Sequence, residues 1–313
     1  MLIRSLALAA VLLAPSAALA QETPDLKARV AAFIQPTNAE RTQVVIDKLL
    51  AAGFEPSIEP FEGGNDRTGP MAGQNVVVAF GGDGEEDQRE ILLTAHYDAV
   101  KLRDGSMSQG VVDNAACVVA MIEAAKALRD EGTRHRIRLI LLDQEELGLI
   151  GARRWVEAHG LANVAAVVNS DVAAYGDTMM YGLNNGEQSA PVTRAVREVC
   201  AERALNCVGY PVYPPSDDRV FSGAGLGDGA AASAVAPTVS LGFQDHVGAH
   251  QMWLAFNGGE DNGLAEGFVP RVFRLIHSAE DTMEHVDPAT IALAAETYAA
   301  VVRKLDASLA GVD

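Results

Sequence analysis

The apolar positions along the chain keep two periods, and the switches between them outline the fold. From Pro24 to Leu50 apolar residues recur every three or four positions, with Pro36 and Thr37 dividing the run, which predicts two helical segments. Residues 53–74 are rich in Gly, Pro and Asn and predict a loop-rich pair of edge strands, with NVVVAF (Asn75 to Phe80) the stronger one. After the polar turn GGDGEEDQ the pattern predicts a short strand (Glu90 to Ala95), an amphipathic helix (Asn114 to Asp130) and a buried strand (Arg136 to Leu142). A helix (Gly151 to His159), a strand (Val164 to Asn169), a helix over 190–204, a strand (Pro237 to Phe243) and a long helix over 287–309 follow. Strand and helix alternate without an internal repeat. The pattern predicts the α/β class: a mixed, mainly parallel central sheet flanked by helices on both faces.

The first twenty residues stand apart from that pattern. A single cation, Arg4, precedes an apolar run that ends Ala18-Leu19-Ala20, the build of a secretory signal peptide cleaved before Gln21. The run is interrupted by Pro15 and is shorter than the ~20 residues that span a bilayer, which argues against an anchor. Residues 21–313 then form one domain of an exported protein, periplasmic or secreted, free of the membrane after cleavage. Lys and Arg number 24 against 42 Asp and Glu, a formal net charge of −18, so a basic nucleic-acid footprint is excluded. Of the three cysteines, Cys200 and Cys207 flank a helix-to-strand connection and can pair in an oxidising compartment. Cys117, among Ala and Val in an apolar helix, reads as a buried inert thiol. No pattern in the chain sets an oligomeric state.

In open α/β sheets ligands bind beyond the carboxyl ends of the strands. His96 and Asp98 follow the strand ILLTA, and Asp113 stands before the next helix. Asp143, Glu145 and Glu146 follow RLILL, Asp171 follows VAAVVN, and His277 and Asp281 lie far downstream. Each has an ordinary structural explanation: an N-cap for Asp113, favourable charge at a helix start for Glu145 and Glu146. Together, acids and imidazoles gathered at one end of one sheet are what a metal site requires. Two histidines and three carboxylates suit two divalent ions about 3.5–4 Å apart with one carboxylate shared. Donors of this kind without thiolate suit zinc, with cobalt or manganese also compatible. Asp98, two residues beyond His96 on an extended chain, can accept that imidazole's second N–H and fix its tautomer.

The blocks TAHYDAV, GVVDNAACVVAMIEAAKAL, LLDQEELGLIGARRWV, NSDVAAYGD and IHSAEDT resemble, in order, the signature blocks of the bacterial leucyl-type di-zinc aminopeptidases, a family of co-catalytic zinc exopeptidases; they span residues 94–282. The resemblance implies the zinc-exopeptidase (phosphorylase/hydrolase-like) fold, two zinc ions, and hydrolysis of the N-terminal bond of peptides with a free N-terminus. It further implies that His96 and Asp171 bind one zinc, Glu146 and His277 the other, and that Asp113 bridges. Glu145 would be the general base and Asp98 the support of His96.

Two departures touch the substrate side. Where the family shows a Ser-Asp-His run, this chain reads Ser216-Asp217-Asp218, and the family's oxyanion-steadying tyrosine has two candidates, Tyr210 and Tyr213. Residues 244–267 look like an insertion over the cleft; His246 and His250, four apart, have the spacing of metal ligands on a helix, but the metal set is already filled and a third ligand is missing, so they read as loop residues. Three other readings compete. A metallo-amidohydrolase or deacylase would carry an inserted dimerisation domain, and no such pattern lies between Asp171 and His277. A glutaminyl-cyclase-like enzyme needs one zinc, whereas the retained His96 favours two. A non-catalytic binding module would be expected to have lost ligands or the base, and neither is missing.

Overall fold

The computed structural model describes residues 26–82, 89–223 and 235–309. The signal peptide expected over 1–20 lies outside them. The chain opens with helix α1, described over 26–31, and α2 (Asn38–Ala51), whose start Thr37 caps by accepting the Glu40 N–H at 3.2 Å. Strands β1 (Ser57–Asn65) and β2 (Gly69–Gly81) form a hairpin. The centre of the chain runs β3 (Glu90–His96), α3 (Ala116–Glu131), β4 (Arg136–Leu142), α4 (Ile150–His159), β5 (Val164–Ser170) and β6 (Thr178–Gly182). It continues with α5 (Ala190–Glu202), β7 (Asn206–Tyr210), α6 (Asp218–Ser222), β8 (Thr238–Gln244), α7 (His246–Asn257), α8 (Arg271–Leu275) and α9 (Pro288–Leu309).

The eight strands form one sheet in the order β1-β2-β4-β3-β5-β8-β6-β7. Pairs β3–β4, β3–β5, β5–β8 and β6–β7 are parallel, whereas β1–β2, β2–β4 and β6–β8 are antiparallel. The expected mixed, mainly parallel sheet is therefore present, with its parallel heart on β4, β3, β5 and β8. Alternation along β4 shows why both faces are covered. Ile137, Leu139 and Leu141 enter the core that includes residues of α3 and α9, while Ile140 and Leu142 enter a second core with Trp155 of α4 and Phe221 of α6. No helix among the described residues is long and apolar enough to cross a membrane.

Apart from the five-residue helices α6 and α8, to which the pattern assigns no element, the structure departs from the expected elements as follows. Strands β6 and β7 are each five residues long, too short to show a period. The segment read as an insertion with loop histidines contains α7, started by Asp245, whose carboxylate accepts the Gly248 N–H at 2.9 Å. The helix expected from Asn114 starts at Ala116, because residues 111–115 form an irregular turn in which Asp113 (φ −123°) and Asn114 (φ −139°) are not helical.

That turn is clamped by Arg41, fully buried on α2. Its guanidinium donates to the carbonyls of Phe33 (2.8 Å), Tyr97 (2.5 Å), Gln109 (2.9 Å) and Gly110 (3.0 Å). Burial lowers its pKa to about 10, partly offset by the charges of Asp98, Asp281 and Asp113. Gly110 takes a left-handed φ of 56°, and a Cβ there would stand 2.6 Å from that of Ala99. Arg41→Met is expected to destabilise the fold by about 3 kcal/mol or more, since it strands buried carbonyls. Urea unfolding checks this, and a midpoint equal to wild type would contradict it.

Candidate active site

Three strand ends and two long-range segments deliver the polar side chains. β3 ends on His96, Asp171 follows β5, and Glu145 and Glu146 lie in the turn after β4. Asp113 comes from the clamped turn, and His277 follows α8 on a left-handed backbone, φ 56°. His96 Nε2 lies 3.1 Å from Asp113 Oδ1 and 3.8 Å from Asp171 Oδ1. His277 Nε2 lies 3.2 Å from Asp113 Oδ2 and 2.9 Å from Glu146 Oε2. Two ligand-competent clusters result, His96–Asp113–Asp171 and Asp113–Glu146–His277, each with its donor atoms within 4.8 Å of one another. Asp113 belongs to both, one oxygen turned to each.

Asp98 does more than face His96. Its carboxylate accepts the backbone N–H of Glu145 (3.1 Å) and of Glu146 (3.2 Å), so it sets the turn that presents both glutamates. Its Oδ1 also lies 3.4 Å from His96 Nδ1, a contact without hydrogen-bonding geometry. Asp143 turns away and accepts the Gln74 and Gln144 N–H groups at 3.0 and 2.9 Å. Asp113 is no helix cap: α3 starts without a side-chain cap. Instead Asp281 draws the turn inward, accepting the N–H of Val111 (2.9 Å), Val112 (2.7 Å) and Asp113 (3.2 Å). Asn114 then ties it to β5, donating to the Ser170 carbonyl (2.9 Å) and accepting from the Val172 N–H (3.2 Å). Asp281 was visible in sequence as an acid beside His277. Arg41 and Asn114 were not visible, because their partners are backbone groups distant in the chain.

The electrostatics reveal a surplus of negative charge. Burial pushes the Glu145 carboxyl well above its ordinary range, and burial with the charge of Asp113 lifts Glu146 to about 7. Burial opposes ionisation of Asp113 too, but hydrogen bonds to His277 and His96 hold it well below the usual carboxylate range. Burial also disfavours a charged His96, yet Glu145 and contacts with Asp113, Asp171 and Asp98 raise it well above 6.5. Hydrogen bonds to Asp113 and Glu146 raise His277 to about 11. Asp217, buried with neither oxygen hydrogen-bonded, is pushed up to about 8 by burial. Protons on imidazole and carboxyl thus offset a charge that divalent cations would offset directly. Donor chemistry and charge both fit such ions.

Beside the clusters lies a cavity of about 450 Å³ that opens onto Asp113, Glu145, Asp171 and His277. Met180, Tyr213, Met252, Phe256, Val272 and Ile276 make its walls apolar. Tyr213 is thus the tyrosine at the cavity, whereas the Tyr210 hydroxyl donates to the Ala249 carbonyl. Asp218, expected on the substrate side, does not line the cavity: it accepts from Ser216 N–H (3.1 Å) and Asn185 Nδ2 (2.8 Å). His246 and His250 lie side by side on α7, their rings tilted by 49° with centroids 4.3 Å apart, and join neither cluster. Cys200 and Cys207 form a disulfide between α5 and β7, and Cys117 is a buried free thiol.

Residues 75–217 match the model of Peptidase family M28. The alkaline phosphatase isozyme conversion protein of Escherichia coli is 29% identical over 147 residues, 43% of this chain and 40% of that protein. The chain thus spans less than half the length of that curated relative. Among solved structures, a Zn-dependent exopeptidase from Parabacteroides distasonis superposes with a TM-score of 0.66 at 15% identity, covering 91% of this chain and 97% of the other. Tannerella forsythia glutaminyl cyclase superposes with a TM-score of 0.64 at 18% identity, covering 91% and 98%. At such identities these structures share the fold.

Because Asp281 orders the turn that carries Asp113, Asp281→Asn is expected to weaken zinc binding about 10- to 100-fold. Titration against a zinc-chelating dye checks this, and wild-type affinity would show that Asp281 does not hold the turn.

Proposed function

From the match of residues 75–217 to the model of Peptidase family M28, we propose that the chain is an exported di-zinc aminopeptidase. In this reading His96 and Asp171 hold one ion, Glu146 and His277 the other, and Asp113 bridges. The observation that carries it is the split of Asp113, with Oδ1 toward His96 and Oδ2 toward His277. When bound, the two ions supply Lewis acidity at the scissile carbonyl and a water of lowered pKa. Cobalt or manganese would serve the same donors.

The chain's own groups supply the rest. Glu145 carries the proton: as a carboxylate it accepts one from the attacking water and then donates it to the departing amine. Asp98 fixes the backbone of both glutamates, so that ligand and base keep their spacing, and it faces His96 from behind. The apolar cavity takes the side chain of the N-terminal residue, favouring a large aliphatic or aromatic one. The free α-amine is drawn to the surrounding acids, which confines cleavage to the chain end. Export through the leader expected over 1–20 belongs to this reading, and the Cys200–Cys207 disulfide supports an oxidising compartment.

A glutaminyl cyclase on the same fold is the second reading, since the Tannerella forsythia enzyme has that fold over 98% of its length. Leucyl-p-nitroanilide, N-acetylleucine amide and a glutaminyl peptide, assayed side by side, separate aminopeptidase, deacylase and cyclase. Glu145→Gln is expected to lower kcat by about 10²- to 10⁴-fold while retaining the zinc of the wild type. Loss of zinc in that variant would reverse the roles of Glu145 and Glu146, and undiminished turnover would contradict a proton role altogether.

A further inference from the structure

A second groove, about 950 Å³, reaches the candidate ligand Glu146 and shares no lining residue with the apolar cavity. Its inner end is formed by Asp98, Asp143 and Glu146, and its outer part carries Arg67, Lys101 and Arg103. The charges in it differ in kind. Each carboxylate has a partner on at least one oxygen: Asp98 the Glu145 and Glu146 amides, Asp143 those of Gln74 and Gln144, and Glu146 Oε2 the His277 imidazole. The three cations are exposed, and their side chains have no hydrogen-bond or ion-pair partner among the described residues. Asp104, next to Arg103, is closed on its own turn, accepting the Ser106 N–H at 3.0 Å and its hydroxyl at 2.6 Å. On a chain of net charge −18, the groove leading from the centre is thus rimmed by unpaired positive charge.

The position of the cations is set by the strand that builds the centre. Residues 101–107 form a small hairpin closed by the Lys101–Met107 bridge, with the Leu102 N–H donating to Ser106 at 2.8 Å. It directly continues the segment that carries His96 and Asp98. Lys101 is three residues past Asp98, so their Cα atoms are at most about 11 Å apart. An extended peptide covers about 3.5 Å per residue. A carboxylate one to three residues beyond the scissile bond therefore falls within the range that Lys101 and Arg103 cover.

We propose that this groove binds the leaving side of the substrate and that Lys101 and Arg103, with Arg67 from the β1–β2 turn, recognise a carboxylate there. The inference rests on the aminopeptidase reading and names its substrate class: short peptides whose C-terminal carboxylate reaches the cations, or longer ones with an acidic residue just after the cleaved bond. The apolar cavity and the basic groove share no lining residue, and each reaches a residue of the centre, Asp113, Asp171 and His277 for the cavity and Glu146 for the groove, so the two ends of the substrate are sorted by different chemistry.

The test compares kcat/KM for leucyl-glycyl-glycine with that for its C-terminal amide, and for leucyl-glutamyl-glycinamide with leucyl-glutaminyl-glycinamide. At least one acidic member is expected to exceed its neutral counterpart by about five- to tenfold, the scale of one or two exposed ion pairs. The difference should lie in KM and shrink in 0.5 M salt through screening. The first pair reports a C-terminal carboxylate and the second an acidic side chain. In Lys101→Ala/Arg103→Ala the ratio within the responding pair should fall below about twofold. Ratios near one for both pairs in wild type, or a ratio unchanged in the double variant, overturn the proposal while leaving the aminopeptidase reading standing. Failure to cleave any of the four peptides, or leucyl-p-nitroanilide, instead overturns the aminopeptidase reading.

Discussion

The centre depends on the position of one carboxylate. Asp113 faces His96 with one oxygen and His277 with the other, at 3.1 and 3.2 Å, and no other residue belongs to both clusters among the described residues. A buried carboxylate shared by two imidazoles is costly to place unless its backbone is held independently of any bound ion. The fold does this with groups that touch no candidate ligand atom: Asp281 binds three successive amides, Asn114 crosses to β5, and Arg41 holds the carbonyls of Gln109 and Gly110. The irregular turn before α3 is what makes this possible.

Construction and chemistry are therefore coupled along the chain. Arg41 comes from the first helix pair, His96 and Asp98 from β3, the glutamate pair from the β4 end, and His277 with Asp281 from the far side of α8. The parallel heart of the sheet brings the strand ends to one edge, and the long-range hydrogen bonds adjust them there. Asp98 illustrates the economy of this arrangement. Through two backbone amides it holds Glu145 and Glu146 in one turn, so the outward path of the chain after β4 is fixed by the residue that also stands behind His96.

Much of this could be read from the residues alone. His96, Asp171 and the glutamate pair break an apolar run just where a strand must end, which marks a site as clearly as it marks the strand. His277 and Asp281 had no strand to follow and were legible through the company of the other blocks. Arg41 was hidden because it sits in a polar stretch, Asn-Ala-Glu-Arg-Thr, that looks solvent-facing; only the tertiary fold supplies the carbonyls it needs. Strands β6 and β7 were hidden by shortness. Helix α7 was hidden by composition, its one clear signal being Asp245 at the start. The Asp218 position shows the reverse case. A motif comparison put it toward substrate, but Asn185 and the Ser216 amide turn it into a structural acid.

The shared role of Asp113 makes a stoichiometric claim. Zinc per chain should be measured by mass spectrometry after dialysis of the zinc-loaded protein, for wild type and for Asp113→Asn. Two ions per wild-type chain, falling to one or fewer in the variant, is the result predicted. A single ion in the wild type, or two retained after Asp113→Asn, would contradict a centre built around one shared carboxylate.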